Sequence, residues 1–123
     1  MDFSAAQDAP DDTTHVVAVR GEIDIFTAPE FKAMIAGAID TRKSFVIIDL
    51  TEATFIDSSS LGVLISAHRR LRLRDGRLIV ATDVPAVRNT FKITGLDAVL
   101  EIVPTREAAL LARAEDPPGA EAA

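Results

Sequence analysis

The side chains best suited to chemistry are concentrated in one segment, where the carboxylate of Asp57 is followed by the hydroxyls of Ser58, Ser59 and Ser60. An apolar run precedes this segment and apolar residues at helical spacing follow it, which predicts a junction between a loop and a helix. Asp and Ser side chains accept hydrogen bonds from free N–H groups at a helix start, and the helix dipole favours an added anion there. The pattern is therefore typical either of a simple capped helix or of a hydroxyl that can carry a phosphate.

A serine hydrolase would use the same residue types. It needs a base beside the serine and an oxyanion hole, and α/β hydrolases hold the serine in a Gly-x-Ser-x-Gly turn. The segment lacks those glycines, and His68 falls on the apolar stripe of the next helix, where a packed or boundary histidine is expected. We therefore predict that the chain is not an enzyme. A small enzyme that uses Asp57 and Ser58 is a remote alternative, which turnover by the isolated protein would reveal.

Two acidic residues, Glu22 and Asp24, lie at the end of a predicted strand and can share one face if the strand continues that far. Paired carboxylates can serve acid/base chemistry or bind magnesium. Exposed loop acids are commoner, and the functional interpretation we favour is an acidic rim that a partner's Arg or Lys contacts.

A basic cluster lies around one helix end and the turn that follows it. Basic residues at a helix C-terminus complement its dipole, so a solvated helix end is the simplest interpretation and a docking surface is the alternative. The cluster consists of Arg69, Arg70, Arg72, Arg74 and Arg77.

The composition restricts the kinds of partner. The 123 residues suit one domain, and the formal charge of −6 with a pI near 4.8 disfavours nucleic acid and anionic membranes, so a protein partner is expected. With no cysteine and only two histidines, we predict no metal site and no cofactor. No apolar run is long enough to cross a bilayer and the N-terminus does not resemble a signal peptide, so we expect a cytoplasmic protein without membrane insertion.

Strand and helix patterns alternate along the chain, which predicts an α/β fold with a mostly parallel sheet of four or five strands and about four helices. Residues 1–12 are expected to be flexible or to form a weak edge strand at 2–6, and 115–123 to be a disordered tail. Thr27 is a candidate N-cap, and the run 45–50, apolar on both faces, is predicted to be the central strand. The predicted strands are 15–20 extending towards 24, 45–50, 77–81 and 99–103; the predicted helices are 27–40, one ending near 73, one ending at Gly95, and one opening at Pro104.

Three motifs in their order along the chain resemble the STAS family, specifically the bacterial anti-sigma factor antagonists. The resemblance covers about residues 13–112 and assigns 13–114 to a single STAS-like domain. The motifs are Gly21-Glu22-Ile23-Asp24 with Thr27-Ala28-Pro29, the strand 46–50 with Phe55-Ile56-Asp57-Ser58-Ser59 and Leu61-Gly62, and Ile93-Thr94-Gly95-Leu96.

The resemblance implies that Ser58 is the phosphoacceptor, with Ser59 and Ser60 as alternatives. Ser60 departs from the family pattern, which usually has glycine there; a serine either alters access by a kinase or partner, or is harmless if the position is already helical. The residues expected to contact a partner are Glu22, Asp24, Thr27, Asp57, Ser59 and Ser60.

The resemblance further implies a partner switch in transcription regulation. The unphosphorylated antagonist binds an anti-sigma factor with serine kinase activity and so frees a sigma factor, phosphorylation ends the binding, and a metal-dependent serine phosphatase resets it. ATP and Mg²⁺ would belong to the partner. The alternative is a STAS accessory subunit of a lipid-transport or stress-sensing complex.

Overall fold

The computed structural model describes residues 2–115. Five strands form one sheet in the order β1-β2-β3-β4-β5. The strands are β1 (Ser4–Asp8), β2 (Thr14–Ile23), β3 (Phe45–Ile56), β4 (Arg77–Ala81) and β5 (Glu101–Val103); the helices are α1 (Ala28–Asp40), α2 (Leu61–Arg72), α3 (Pro85–Ile93) and α4 (Arg106–Ala112).

The predicted α/β architecture with a mostly parallel sheet is confirmed. Strands β2 to β5 pair in parallel, and β1 pairs with β2 antiparallel at the edge. Residues 45–50 of β3 are all buried, as expected for a central strand whose two faces are covered. The predicted tail beyond Glu115 lies outside the described residues.

The two faces of the sheet carry different cores. The larger core holds apolar side chains of α1, α2 and α3, among them Phe31, Leu64 and Phe91. The smaller one lies under α4 and joins Ala109 to the opposite face of β2, β3 and β4. Because side chains alternate between the faces of a strand, β3 sends Ile48 into the first core and Ile47 into the second.

Some element bounds differ from the sequence-based expectation. The N-terminal strand is Ser4–Asp8 rather than 2–6, β3 runs six residues further to Ile56, and β5 is shorter because Leu96–Ala98 forms a 3-10 turn before it. The extension of β3 matters for function, since it carries the chain directly to Asp57. No helix in residues 2–115 is long and apolar enough to span a membrane.

Candidate functional site

The Asp57 segment and the loop after β2 lie side by side at one end of the sheet. In the parallel pairing of β2 with β3, Ile23 is the partner of Ile56, so both strands end at the same level. The backbone N–H of Asp57 then donates to the carbonyl oxygen of Ile23 at 2.8 Å. The fold thus brings together two of the three motifs, which are more than thirty residues apart in the sequence.

Asp57 caps the helix start. Its backbone is extended, its Oδ1 accepts from the N–H of Ser59 at 2.7 Å, and a 3-10 turn over Ser58–Ser60 leads directly into α2. These hydrogen bonds from Ser59 lower the pKa of the Asp57 carboxyl, so it is ionised at neutral pH. Of the Asp and Ser side chains that the sequence offered as caps, the aspartate makes the bond.

The three serines have different environments. Ser58 and Ser59 are exposed, whereas Ser60 is 1% exposed. The Ser60 Oγ has no hydrogen-bond partner within residues 2–115. Its φ of −76° and ψ of −15° are helical, so the backbone at this position does not need glycine. Two hydroxyls are thus accessible to a partner, and the third faces the interior.

The loop between β2 and α1 is held by Asp24 and Thr27. Asp24 Oδ1 accepts from the N–H groups of Phe26 and Thr27 at 2.9 and 3.0 Å. Thr27 has no side-chain cap bond; its hydroxyl instead accepts from the N–H of Asp24 and donates to the Glu22 carbonyl, each at 2.9 Å. Thr27 is thus the N-cap residue of α1 by position, as predicted, but its hydroxyl closes the loop and does not cap the helix.

Glu22 and Asp24 do not form a carboxylate pair on one strand face. The strand ends at Ile23, after a bulge at Gly21, where φ is +87°. Glu22 is exposed and Asp24 is half-buried with its carboxylate engaged in the loop. Glu22 therefore remains available to a partner, while Asp24 holds the conformation of the loop.

Exposed apolar side chains lie in the loop after β2 and near the end of β3, at the same end of the sheet as the serines, and their exposure was not predicted from the sequence. Ile25 is 69% exposed, Phe26 is 88% exposed and Phe55 is 45% exposed. Phe55 is the register partner of Glu22, so it lies beside the loop that carries the other two. We call Ile25, Phe26 and Phe55 the apolar rim. The signal was present in the sequence as two large apolar residues directly after a strand end, in a loop.

Two arginines of the basic cluster, Arg74 and Arg77, have structural hydrogen bonds. Arg74 donates to the carbonyls of Ile39 and Lys43 at 2.9 and 3.2 Å, and Arg77 forms a two-pronged pair with Glu101. These two arginines tie the helix end to its surroundings. The other three arginines of the cluster are exposed, so a docking surface at this helix end would depend on Arg69, Arg70 and Arg72.

His68 is not a base for the serines. It is half-buried in the second half of α2, and burial, with Arg72 and Arg69 nearby, lowers the pKa of its ring. Within the described chain, no three His, Cys, Asp or Glu side chains are grouped so as to hold a metal ion.

Most of this chain matches known proteins in sequence. The family model described as the STAS domain matches residues 6–109. The anti-sigma-B factor antagonist of Listeria monocytogenes is 38% identical over 93 residues, which cover 74% of this chain and 81% of the relative.

Two solved structures extend the comparison. An anti-sigma factor antagonist from Mycobacterium paratuberculosis superimposes with a TM-score of 0.84 at 30% identity, covering 93% of this chain and 96% of that one. The phosphorylated form of the Bacillus cell fate determinant SpoIIAA gives a TM-score of 0.67 at 26% identity, covering 91% and 100%.

Proposed function

The chain belongs to the STAS domain family, and from this premise we propose that it is an anti-sigma factor antagonist whose binding is switched off by phosphorylation of Ser58. The observation that carries the proposal is the exposed Ser58 hydroxyl at the start of the helix, next to the capping carboxylate of Asp57. A relative with 26% identity exists in a phosphorylated form, which supports modification as the means of control.

Ser58 is favoured over the other two hydroxyls. Ser60 is buried, so a kinase cannot reach its oxygen without opening the helix start. Ser59 is exposed, but its N–H is the donor in the Asp57 cap, and a phosphate there would face the capping carboxylate directly. The resemblance to the family motif supports the same choice, since it implies an acceptor immediately after the aspartate, which is Ser58.

The surface around Ser58 has the composition of a protein-binding site. The apolar rim provides area that gains free energy when a partner covers it, and aromatic side chains such as Phe26 often dominate such interfaces. Glu22 and Asp57 add negative charge at the same end of the sheet. We infer a partner surface with an apolar hollow, basic residues opposite Glu22, and a carboxylate close to the position of the Ser58 hydroxyl.

The effect of the phosphate follows from simple electrostatics. One added negative charge about 6 Å from a partner carboxylate, at an effective dielectric of about 20, costs roughly 3 kcal/mol. That free energy corresponds to about a hundredfold in affinity, which is sufficient to dissociate a complex. The helix start already tolerates an anion, so the antagonist itself does not have to refold.

The proposed partner is an anti-sigma factor with serine kinase activity, and its sequestration would free a sigma factor in the cytoplasm. That partner would supply ATP and Mg²⁺, because the proposed role of this chain is to present the acceptor hydroxyl. A metal-dependent serine phosphatase would restore the binding form.

Phosphate mapping tests the assignment. The protein is incubated with the candidate anti-sigma kinase and Mg-ATP, and the modified residue is located by mass spectrometry. We expect phosphate on Ser58 in the parent and in Ser59→Ala, and none in Ser58→Ala. Undiminished phosphate on Ser58→Ala would overturn the assignment.

A further inference from the structure

A cavity of about 360 Å³ lies far from Ser58, between the second half of α2 and residues 97–102. It opens to solvent, and its accessible apolar lining comes from Ala98, Val99 and Ile102. Its volume is at the lower end of the range for small-molecule sites. Nothing in the proposed partner switch uses this cavity.

Two hydrogen-bond donors from α2 line one wall. His68 and Arg72 are one helical turn apart and so share a face of the helix. Arg72 forms no ion pair within residues 2–115, and its guanidinium therefore retains its donors for a ligand.

The protonation of His68 can be inferred from its surroundings. Its Nδ1 is enclosed and has no hydrogen-bond partner within the described chain. A buried N–H without a partner is costlier than an unfilled acceptor, so the neutral ring is expected to keep its proton on Nε2. His68 then presents an N–H donor on its more open side, one turn from the Arg72 guanidinium.

The acidic residues of the cavity limit the charge of a ligand. Glu101 is neutralised by Arg77, whose Nε donates to Glu101 Oε2 at 2.8 Å. Asp97 is exposed at the cavity and forms no ion pair within the described residues. One free cation opposed by one free carboxylate does not suit a di- or trianion, whereas a single carboxylate can bond to the two donors and stay away from Asp97.

We propose that this cavity binds a small organic acid with one carboxylate and an apolar body. The carboxylate accepts from the Arg72 guanidinium and from His68 Nε2–H. The apolar body packs on Ala98, Val99 and Ile102, the apolar lining residues that are accessible. The site is independent of Ser58, at the opposite end of α2.

Benzoate is a suitable probe, and benzamide is its uncharged counterpart of the same shape. Each is titrated into the protein at constant ionic strength while amide ¹H–¹⁵N shifts are followed. We expect saturable benzoate shifts at the amides of Leu100 and Ile102. Benzamide should bind at least about tenfold more weakly, because it loses the charge-assisted hydrogen bonds.

Two variants separate the site from general attraction to a basic helix. Arg72→Gln removes the lining guanidinium, and Arg69→Gln removes an exposed charge of the same helix end that does not line the cavity. We expect Arg69→Gln to bind benzoate like the parent and Arg72→Gln to bind it about tenfold more weakly. Absence of saturable shifts, equal binding of benzamide, or unchanged affinity in Arg72→Gln would each overturn the proposal.

Discussion

The N–H of Asp57 donates to the carbonyl oxygen of Ile23 at 2.8 Å, and this bond joins the helix start that carries Ser58 to the loop that carries Phe26. The bond continues the parallel ladder of β2 and β3 one step beyond the strands. A partner that covers Ser58 therefore meets the apolar rim at the same time. Phosphorylation at one loop can then disrupt a contact surface built from both.

Replacing Phe26 by alanine should weaken partner binding without affecting the fold. The side chain is 88% exposed, so we expect the free energy of unfolding to change by less than about 0.5 kcal/mol. Affinity for the anti-sigma factor, measured by calorimetry, should fall about tenfold or more if Phe26 fills a hollow on the partner. Leu73→Ala is the matched control, because Leu73 is 89% exposed at the other end of α2 and should leave affinity unchanged. Equal effects of the two variants would refute the apolar rim.

Asp57→Ala should lower the melting temperature at pH 7, because it removes the acceptor for the Ser59 N–H. Hydrogen bonds from Ser59 lower the pKa of Asp57 in the folded protein. The cap thus stabilises the fold above the unfolded pKa of about 3.9, and this contribution is lost as the pH falls through the lower folded value. The difference between parent and variant should therefore shrink below about pH 4. Asp57→Asn, which keeps an oxygen acceptor, should melt between the two at pH 7. A difference that stays constant with pH would argue against the ionised cap.

Ser60→Ala should stabilise the protein. The hydroxyl is buried and has no hydrogen-bond partner among residues 2–115. Removing such a group gains about 1 kcal/mol, and the helical backbone suits alanine. Urea denaturation measures the change, with Ser59→Ala, at an exposed position, as the control. A loss of stability in Ser60→Ala would show that the hydroxyl has a partner in solution.

The ion pair between Arg106 of α4 and Asp49 of β3 should stabilise the protein. Arg106 Nε donates to Asp49 Oδ2 at 2.7 Å, and the Asp49 side chain is only 8% exposed. Arg106→Met should cost about 2 kcal/mol, below the value for a fully buried pair because Arg106 is 34% exposed. Arg20→Met, which breaks the exposed pair with Glu52, should cost less than about 0.5 kcal/mol.

The ion pair between Arg106 and Asp49 should also make the stability of the protein depend on pH. Burial raises the pKa of Asp49, but hydrogen bonds from Thr51 and the charge of Arg106 outweigh it, so the net shift is downward. The stabilisation is therefore present at neutral pH and is lost as the pH falls below about 4. Chemical denaturation of Arg106→Met should show its largest deficit at pH 7. A deficit that grows on acidification would contradict the assignment.

The sequence predicts the arrangement of elements well because β3 begins with the apolar run 45–48, β4 is apolar after Arg77, and the helices carry regular apolar stripes. It also locates Asp57 and Ser58 at a helix start. It does not reveal that Asp57 makes the cap, that Thr27 closes its own loop, or that β3 continues to Ile56. The extension of β3 depends on its pairing with β2, which a local pattern does not contain. The roles of Asp57 and Thr27 depend on the loop conformations, which decide whether a side-chain oxygen meets the Ser59 N–H or closes onto the Glu22 carbonyl.

The burial of Ser60 is equally hidden from local patterns. Three adjacent serines look alike in the sequence, and only the rotation of α2 against the sheet decides which of them faces inward. The exposure of Phe26 is also hidden from local patterns. An apolar residue directly after a strand can point into the core or into solvent, and the loop conformation decides which.

The most direct test of the central claim is the affinity of the anti-sigma factor for this protein with and without phosphate on Ser58. Protein phosphorylated at Ser58 alone is separated from the unmodified form, and both are titrated with the partner at the same ionic strength. We expect about a hundredfold weaker binding of the phosphorylated form, with the difference reduced by salt. Equal affinity of the two forms would contradict it.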